Sequence, residues 1–392
     1  MKIGIDKIGF YAPHLYLDMN QLALHRGIEP EKFTIGIGQE EMAVAPITQD
    51  PVTLAANAAL RILNDDDKEK IDLIMFGTES GIDHSKSAGI YVHHLLNLKE
   101  SARVIELKQA CYGATAAIQL AKGHIALNPE SKVLILASDI ARYGLKTSGE
   151  VTQGAGAVAM VISAAPNIMS IEDKSTFLTS DIMDFWRPTY SEEAFVDGKY
   201  SNEQYIAFFQ ETWKKYKAET NLQLNDFAAI CYHLPYTKMG LKALRTVLND
   251  GSKGTQDRLL RNYELSKTYN KLVGNIYTGS LYLSLLSLLD QQKDLKPGDR
   301  IGLYSYGSGA VAEFFSGILQ PEYQDHLQKE ENEELLSSRK ELSVSEYEET
   351  FLKTLPQNGE NLELDINDDP AVICVAGIKE HMRQYTNKHF NE

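Results

Sequence analysis

Gly154-Ala155-Gly156-Ala157-Val158-Ala159 returns almost letter for letter as Gly307-Ser308-Gly309-Ala310-Val311-Ala312, 153 residues further along the chain. An apolar, strand-like stretch precedes each copy, Lys132 to Ser138 in one case and Ile301 to Tyr306 in the other. Upstream, the stretch Asp72 to Glu79 aligns with Phe227 to His233 at an offset of 154, so a polar residue ends both strands. Between these landmarks, Cys111 heads a run of small helix formers (Ala114 to Ala121), and Asn275 heads the matching apolar run Ser280 to Leu289. Equivalent features in the same order mark an internal duplication. Short apolar strands alternating with helical patterns mark an α/β chain with two related, mostly parallel sheets. Parallel sheets place ligand sites at strand carboxyl ends. Glu79, Cys111, His233 and Asn275 occupy such ends or the helix starts just after them, and pseudo-symmetry is expected to bring the four together.

Cys111 stands where the strand-like Val104-Ile105-Glu106-Leu107 gives way to a helix. A sulfur at a helix N-terminus faces unpaired N–H groups and the positive end of the macrodipole, which favour thiolate over thiol. Ala110, Gly113 and Ala114 leave room beside it for a second molecule. Taken one at a time, these residues have competing readings: a buried structural cysteine, an ion-pairing Glu79, a hydrogen-bonded core His233, an Asn275 that only starts its helix.

Together they carry a resemblance. Gln109-Ala110-Cys111-Tyr112-Gly113-Ala114-Thr115, Thr78-Glu79-Ser80, Asp184-Phe185-Trp186-Arg187-Pro188, His233-Leu234-Pro235-Tyr236, Gly274-Asn275-Ile276-Tyr277-Thr278 and Tyr304-Ser305-Tyr306-Gly307-Ser308-Gly309 resemble the bacterial-type 3-hydroxy-3-methylglutaryl-CoA synthases, from Met1 to about Tyr323. The chain departs at Gln109 and Val151, where Glu and Pro are expected. The resemblance implies a thiolase-like five-layered αβαβα fold from two duplicated βαβαβ halves, and a homodimer. It implies an acyltransferase of the mevalonate (isoprenoid) route: acetyl-CoA acylates Cys111, Glu79 takes a proton from the acetyl methyl, and the enolate adds to acetoacetyl-CoA. His233 then gives a proton to the new alkoxide, and water frees the product. The backbone N–H groups of Cys111 and Ser308 would form the oxyanion hole. Glu29, Pro30, Thr152, Ser201, Lys238, Lys242, Asn275 and Ser308 match substrate-contact positions. The two lysines would meet the CoA phosphates, with Arg26 and Lys32 next in line. No metal or redox cofactor is required. A ketoacyl-synthase-like condensing enzyme, in which Glu79 is incidental, and an inactive acyl-CoA-binding scaffold are the alternatives.

The expected division is 1–165 for the first half, 166–222 for an aromatic-rich insertion that mostly packs on the core, 223–320 for the second half, and 321–392 for an acidic extension. That extension carries eight acidic against three basic residues between Lys329 and Thr350, then a strand-like run from Ala371 that folds back onto the body. A net charge of −15 argues against nucleic acid as a partner and requires a local basic patch for an anionic cofactor. The three cysteines Cys111, Cys231 and Cys374 show neither metal nor disulfide spacing, which suits a reducing compartment. Met1 to Asp6 reads as a strand without the apolar core of a signal peptide, and no apolar run is long enough for a bilayer. The chain is expected to be soluble and cytoplasmic.

Overall fold

The computed structural model describes residues 1–390. Its centre is a nine-stranded sheet. The strands are β1 (Ile3–Tyr11), β2 (Ile71–Gly77), β3 (Arg103–Leu107), β4 (Lys132–Ala141), β5 (Gly154–Ala164), β6 (Met169–Thr179), β7 (Ala229–Tyr232), β8 (Arg300–Gly307) and β9 (Val311–Leu319), in the spatial order β7-β8-β9-β6-β1-β5-β4-β2-β3. Around it pack α1 (Pro51–Leu60), α2 (Ala88–Leu95), α3 (Gly113–Leu127), α4 (Gly198–Thr220), α5 (Met239–Val247) and α6 (Ser280–Gln291).

Side chains on successive strand residues point to opposite faces, and this alternation shows the layering. On β4, Val133, Ile135 and Ala137 join a central cluster with α3 and α6, whereas Leu134 and Leu136 join an outer cluster with α1 and α2. On β8, Ile301 and Leu303 face the same central cluster, while Tyr304 and Tyr306 face another outer cluster with α4 and α5. The result is five layers: helices, first half-sheet, α3 and α6, second half-sheet, helices. Strands such as β4, β5 and β7 are covered on both faces and read as near-continuous apolar runs, whereas β3 and the middle of β6 are exposed or half-buried.

Two expectations about the sheet change. The two halves meet through a short antiparallel pairing, Gly4 with Ser170 and Ile5 with Met169, and so run on as one sheet. The sheet is also mixed and not mostly parallel: only β7–β8, β4–β2 and β2–β3 are parallel, and the five other neighbouring pairs are antiparallel. The connections explain this. A parallel pair needs a crossover of about a dozen residues or more, whereas the link between β8 and β9 spans only residues 308–310, which is hairpin length.

The repeated glycine motif marks where each half presses on the other. A Cβ at Gly154 would lie 2.7 Å from the backbone N and O of Asn275, and one at Gly307 would lie 2.5 Å from the backbone O of Gln109. Each glycine therefore admits the opposite half's loop, the one that leads to Cys111 or holds Asn275. The two approaches are reciprocal.

Residues 169–179, which the sequence reading placed at the start of the aromatic insertion, are β6 and belong to the middle of the sheet. In the remainder of that segment, Tyr205, Phe208, Phe209, Trp213 and Tyr216 on α4 are core, while Tyr190 and Phe195 are exposed. The acidic extension forms α7 (Lys329–Ser337) and α8 (Val344–Leu352), which bury Leu336, Tyr347 and Phe351. A later strand, Ile373–Lys379, is pinned to α1. The buried Asn57 amide donates to the Ile373 carbonyl at 2.9 Å and accepts from its N–H at 3.1 Å, as a neighbouring strand would. No helix among the described residues is long and apolar enough to cross a membrane.

Candidate active site

Glu79 follows β2 by two residues, and a buried carboxylate sets its backbone. Asp139, on β4 beside β2, accepts from the Thr78 hydroxyl at 2.8 Å, the Glu79 N–H at 2.8 Å, the Ser80 N–H at 2.9 Å and the Thr278 N–H at 3.1 Å. It thereby binds the loop after β2 in one half to the turn that leads into α6 in the other. Glu79 lines a cleft of about 1210 Å³ together with Ser80, Arg142 and Arg187. Burial and the neighbouring Asp139 push the Glu79 carboxyl up to about 8, with Cys111 and Arg187 drawing it partly back. A carboxyl in that range is a usable base near neutral pH.

Cys111 Sγ lies 3.1 Å from Glu79 Oε1. The predicted thiolate at a helix N-terminus is corrected here. The helix begins at Gly113 with Tyr112 as its cap, one residue past the sulfur. Burial, then the charges of Glu79, Asp139 and Asp184, raise the thiol well above its ordinary range. The resting sulfur is a thiol that donates to Glu79, so the carboxylate is positioned to activate it.

The second half closes over this pair. The turn after β8 rests on residues 109–112, and Gln109 Nε2 donates to the Ser308 carbonyl at 3.1 Å. Asp184, fully buried, holds the same turn by accepting from the Gly309 N–H at 2.9 Å, the Tyr306 hydroxyl at 2.8 Å and the Ser201 hydroxyl at 3.1 Å. Asn275 approaches the Tyr143 hydroxyl at 3.4 Å, while its carbonyl oxygen accepts from the Tyr277 N–H at 2.9 Å and Ser280 Oγ at 3.0 Å. It thus holds the turn that leads into α6, which itself begins at Ser280, and also borders the site. His233 follows β7 as Glu79 nearly follows β2; its N–H donates to the Tyr304 carbonyl at 2.8 Å, and the Tyr205 hydroxyl donates to its carbonyl at 2.7 Å. Burial pushes its imidazole down to about 3, and Nδ1 has no hydrogen-bond partner among the described residues. The His233 imidazole is therefore neutral near pH 7.

Of the candidates for binding an anionic cofactor, Glu29, Pro30, Thr152 and Lys238 lie around the helical turn Lys32–Ile37, and Lys242 and Ser201 stand on α5 and α4. Pro30 O accepts from Thr34 Oγ1 at 3.1 Å, and Lys238 N–H donates to Ile37 O at 3.1 Å. The same turn packs on residues 150–152, which brings Thr152 near, and Glu29 adjoins Pro30. Lys242 Nζ donates to the Tyr236 hydroxyl at 2.8 Å, which in turn donates to Asn202, the neighbour of Ser201. Arg26, the fallback phosphate ligand, is already committed, with contacts of 2.7 Å to both Glu150 and Glu348.

Comparison with known proteins now decides the family. The hydroxymethylglutaryl-coenzyme A synthase N-terminal family model matches residues 1–167, and the C-terminal model of the same family matches residues 172–267 and 255–361. The chain belongs to the hydroxymethylglutaryl-CoA synthase family. It is 51% identical over 390 residues to the hydroxymethylglutaryl-CoA synthase of Enterococcus faecalis, covering 99% of this chain and 100% of the relative. It is 33% identical to the polyketide biosynthesis 3-hydroxy-3-methylglutaryl-ACP synthase of Bacillus subtilis, covering 94% and 93%. A crystal structure of an HMG-CoA synthase complexed with CoA superposes with a TM-score of 0.96 at 44% identity, covering 99% of this chain and 100% of that one. The fold is accordingly the α/β thiolase-like fold of the hydroxymethylglutaryl-CoA synthases.

Sequence reasoning missed Asp139, Asp184, Tyr143 and Arg187 as parts of the site. The polar strand-end signal that singled out Glu79 and His233 was present at Ala137-Ser138-Asp139 too, and Asp184 opens one of the quoted motifs. From these electrostatics, iodoacetamide should alkylate Cys111 slowly at neutral pH and faster as pH rises. Glu79→Gln removes the nearest negative charge, so the rate profile, followed by mass spectrometry, should move to lower pH. An unmoved profile would show that the sulfur does not sense this carboxylate.

Proposed function

We propose that this chain is an acyltransferase that condenses acetyl-CoA with acetoacetyl-CoA to 3-hydroxy-3-methylglutaryl-CoA and CoA, the reaction its family name describes. The observation that carries the reading is the 3.1 Å contact between Cys111 Sγ and Glu79 Oε1, with that carboxyl pushed up to about 8. In the first step Glu79 takes the thiol proton, sulfur attacks the acetyl carbonyl, and CoA leaves with a proton as the acetyl-cysteine forms. Glu79, again a carboxylate, removes a proton from the acetyl methyl. The enolate oxygen is held by the backbone N–H groups of Cys111 and Ser308, the latter in the turn secured by Asp184. The enolate carbon adds to the acetoacetyl ketone, whose oxygen accepts a hydrogen bond from the N–H of neutral His233 as it becomes an alkoxide and takes the proton that Glu79 removed from carbon to become an alcohol. The proton taken from carbon balances the one the alkoxide gains. Water cleaves the acyl-cysteine, and the thiol is restored.

The ketoacyl-synthase-like alternative leaves Glu79 idle, and a scaffold needs neither group. The 51% identity to a relative named for hydroxymethylglutaryl-CoA, against 33% to one named for the ACP thioester, favours CoA as the carrier. An edge strand invites pairing. We therefore assign the homodimer contact to β3, which among the described residues pairs with β2 alone and leaves Ile105 48% exposed. Cys111, Cys231 and Cys374 are all free, and a reducing cytoplasm keeps the first of them reactive.

Mass spectrometry after mixing with acetyl-CoA should find an acetyl group on Cys111 that is consumed when acetoacetyl-CoA is added. Cys111→Ser should abolish both adduct and turnover, and full activity in that variant would sink the assignment. Glu79→Gln should lose carbon–carbon bond formation by several orders of magnitude, on the order of 10²–10⁴-fold, and should also acetylate slowly. Condensation at the native rate would return Glu79 to an incidental role. Replacing Lys238 and Lys242 by Ala should raise KM for the CoA substrates roughly 2- to 30-fold with kcat little changed, and the loss should shrink at high salt; an effect confined to kcat would move the phosphate site elsewhere. Light scattering should give twice the chain mass, reduced to one by Ile105→Glu. A monomer in the parent protein would remove the dimer.

A further inference from the structure

Glu313 takes no part in the steps above, yet its carboxyl lies at the junction of the two halves and is 2% exposed. It sits on β9 opposite Ser305 of β8, on the face turned toward the central helices, where Phe315, Leu303 and Ile301 of the same two strands join the core. Tyr112, the residue after Cys111, donates its hydroxyl to Glu313 Oε2 at 2.6 Å. Further along α3, Thr115 donates to Ser305 Oγ at 2.8 Å. Gln119 and Lys122 continue the stripe, and the Lys122 charge acts on the Glu313 carboxyl, as does Ser175 from β6. Residues spaced by three and four share one helix face. The nucleophile's helix therefore meets the second half-sheet along a polar seam, and Glu313 anchors the end nearest the sulfur.

Tyr112 also supports the turn that holds Ser308, since a Cβ at Gly307 would lie 2.7 Å from both the backbone N and the Cβ of Tyr112. This one residue touches the loop of Cys111 and the turn of Ser308 together. We propose that Glu313, acting through the Tyr112 hydroxyl, is a positioning residue that keeps the Cys111 loop and the Gly307–Gly309 turn in register, so that their two N–H groups converge on one substrate oxygen. The inference rests on the oxyanion-binding role given to those N–H groups above. A registry device of this kind acts on the developing charge and leaves the remote CoA handle untouched, so its loss falls on kcat. Misplacement by about 1 Å costs on the order of 10²-fold.

The test compares steady-state kinetics of Tyr112→Phe, Glu313→Ala, Glu313→Gln and the double variant Tyr112→Phe/Glu313→Ala, with thermal melts to confirm folding. Each of Tyr112→Phe and Glu313→Ala should lower kcat about 10- to 100-fold and leave KM for acetyl-CoA within about twofold. The double variant should be no slower than the slower single one, because both remove the same link. Glu313→Gln, whose amide oxygen can accept from the same hydroxyl, should recover most of the rate. Losses that multiply, a rise in KM with kcat kept, or a Gln variant as slow as Ala would each overturn the proposal. Should Glu313→Ala fail to fold, Glu313→Gln with and without Tyr112→Phe makes the same comparison, and the Phe background must erase any difference between Glu and Gln. Failure of the parent protein to form acetyl-Cys111 would count against the reaction itself and is read separately.

Discussion

The Asp139 carboxylate is the interaction on which the site depends. A buried anion must be satisfied by donors, and those available are the hydroxyl of Thr78 and the N–H groups of Glu79, Ser80 and Thr278. Meeting that demand draws the end of β2 and the start of the second half's loop to one point. The same charge then sets the chemistry of its neighbours, because it lies close enough to push both Glu79 and Cys111 toward their protonated forms. A carboxyl and a thiol that both keep their protons at rest follow from a third carboxylate that never meets substrate in the scheme above.

Duplication supplies the geometry for this. Two halves related by pseudo-symmetry offer equivalent strand ends at the same level, but ends brought together need room, and glycine provides it. Gly154 admits Asn275 and Gly307 admits Gln109, so each half lends the other a backbone without side chains at the point of closest approach. The polar seam through Tyr112, Thr115 and Ser305 holds what the glycines allow to touch. The specificity of the crossing lies in these hydrogen bonds, since the central apolar cluster alone would tolerate sliding.

The repeat, the alternation of strands and helices, and the pairing of Glu79 with Cys111 were legible in the sequence because each leaves a local pattern: a motif at fixed offset, an apolar run, a polar residue at its end. Strand direction was less legible. The parallel expectation came from the βαβ pattern, which holds for β2, β3 and β4, while the three-residue link 308–310 forces a hairpin that Gly-Ser-Gly-Ala does not announce as one. The ionisation of Cys111 was misjudged for a related reason: a helix N-terminus is a sequence signal, whereas the carboxylates that outweigh it come from residues 79, 139 and 184, distant in the chain. Asp139 ends an apolar run and Asp184 opens a motif, but that local mark does not say whether such an acid is buried and holds backbone or meets solvent.

The place of β1 carries a kinetic consequence. It lies mid-sheet between β5 and β6, paired from Ile3 with Ala164 to Tyr11 with Ala157 on one side and with Met169 and Ser170 on the other. Its partners are therefore some 150 residues away along the chain, and closing a loop of that length yields no contacts until both arrive. Ile5, Ile8 and Phe10, fully or almost fully buried in the finished protein, stay in search of a surface until then. A chain emerging from the ribosome would hold this apolar strand unpaired while its neighbours are still being made, so the middle of the sheet closes late.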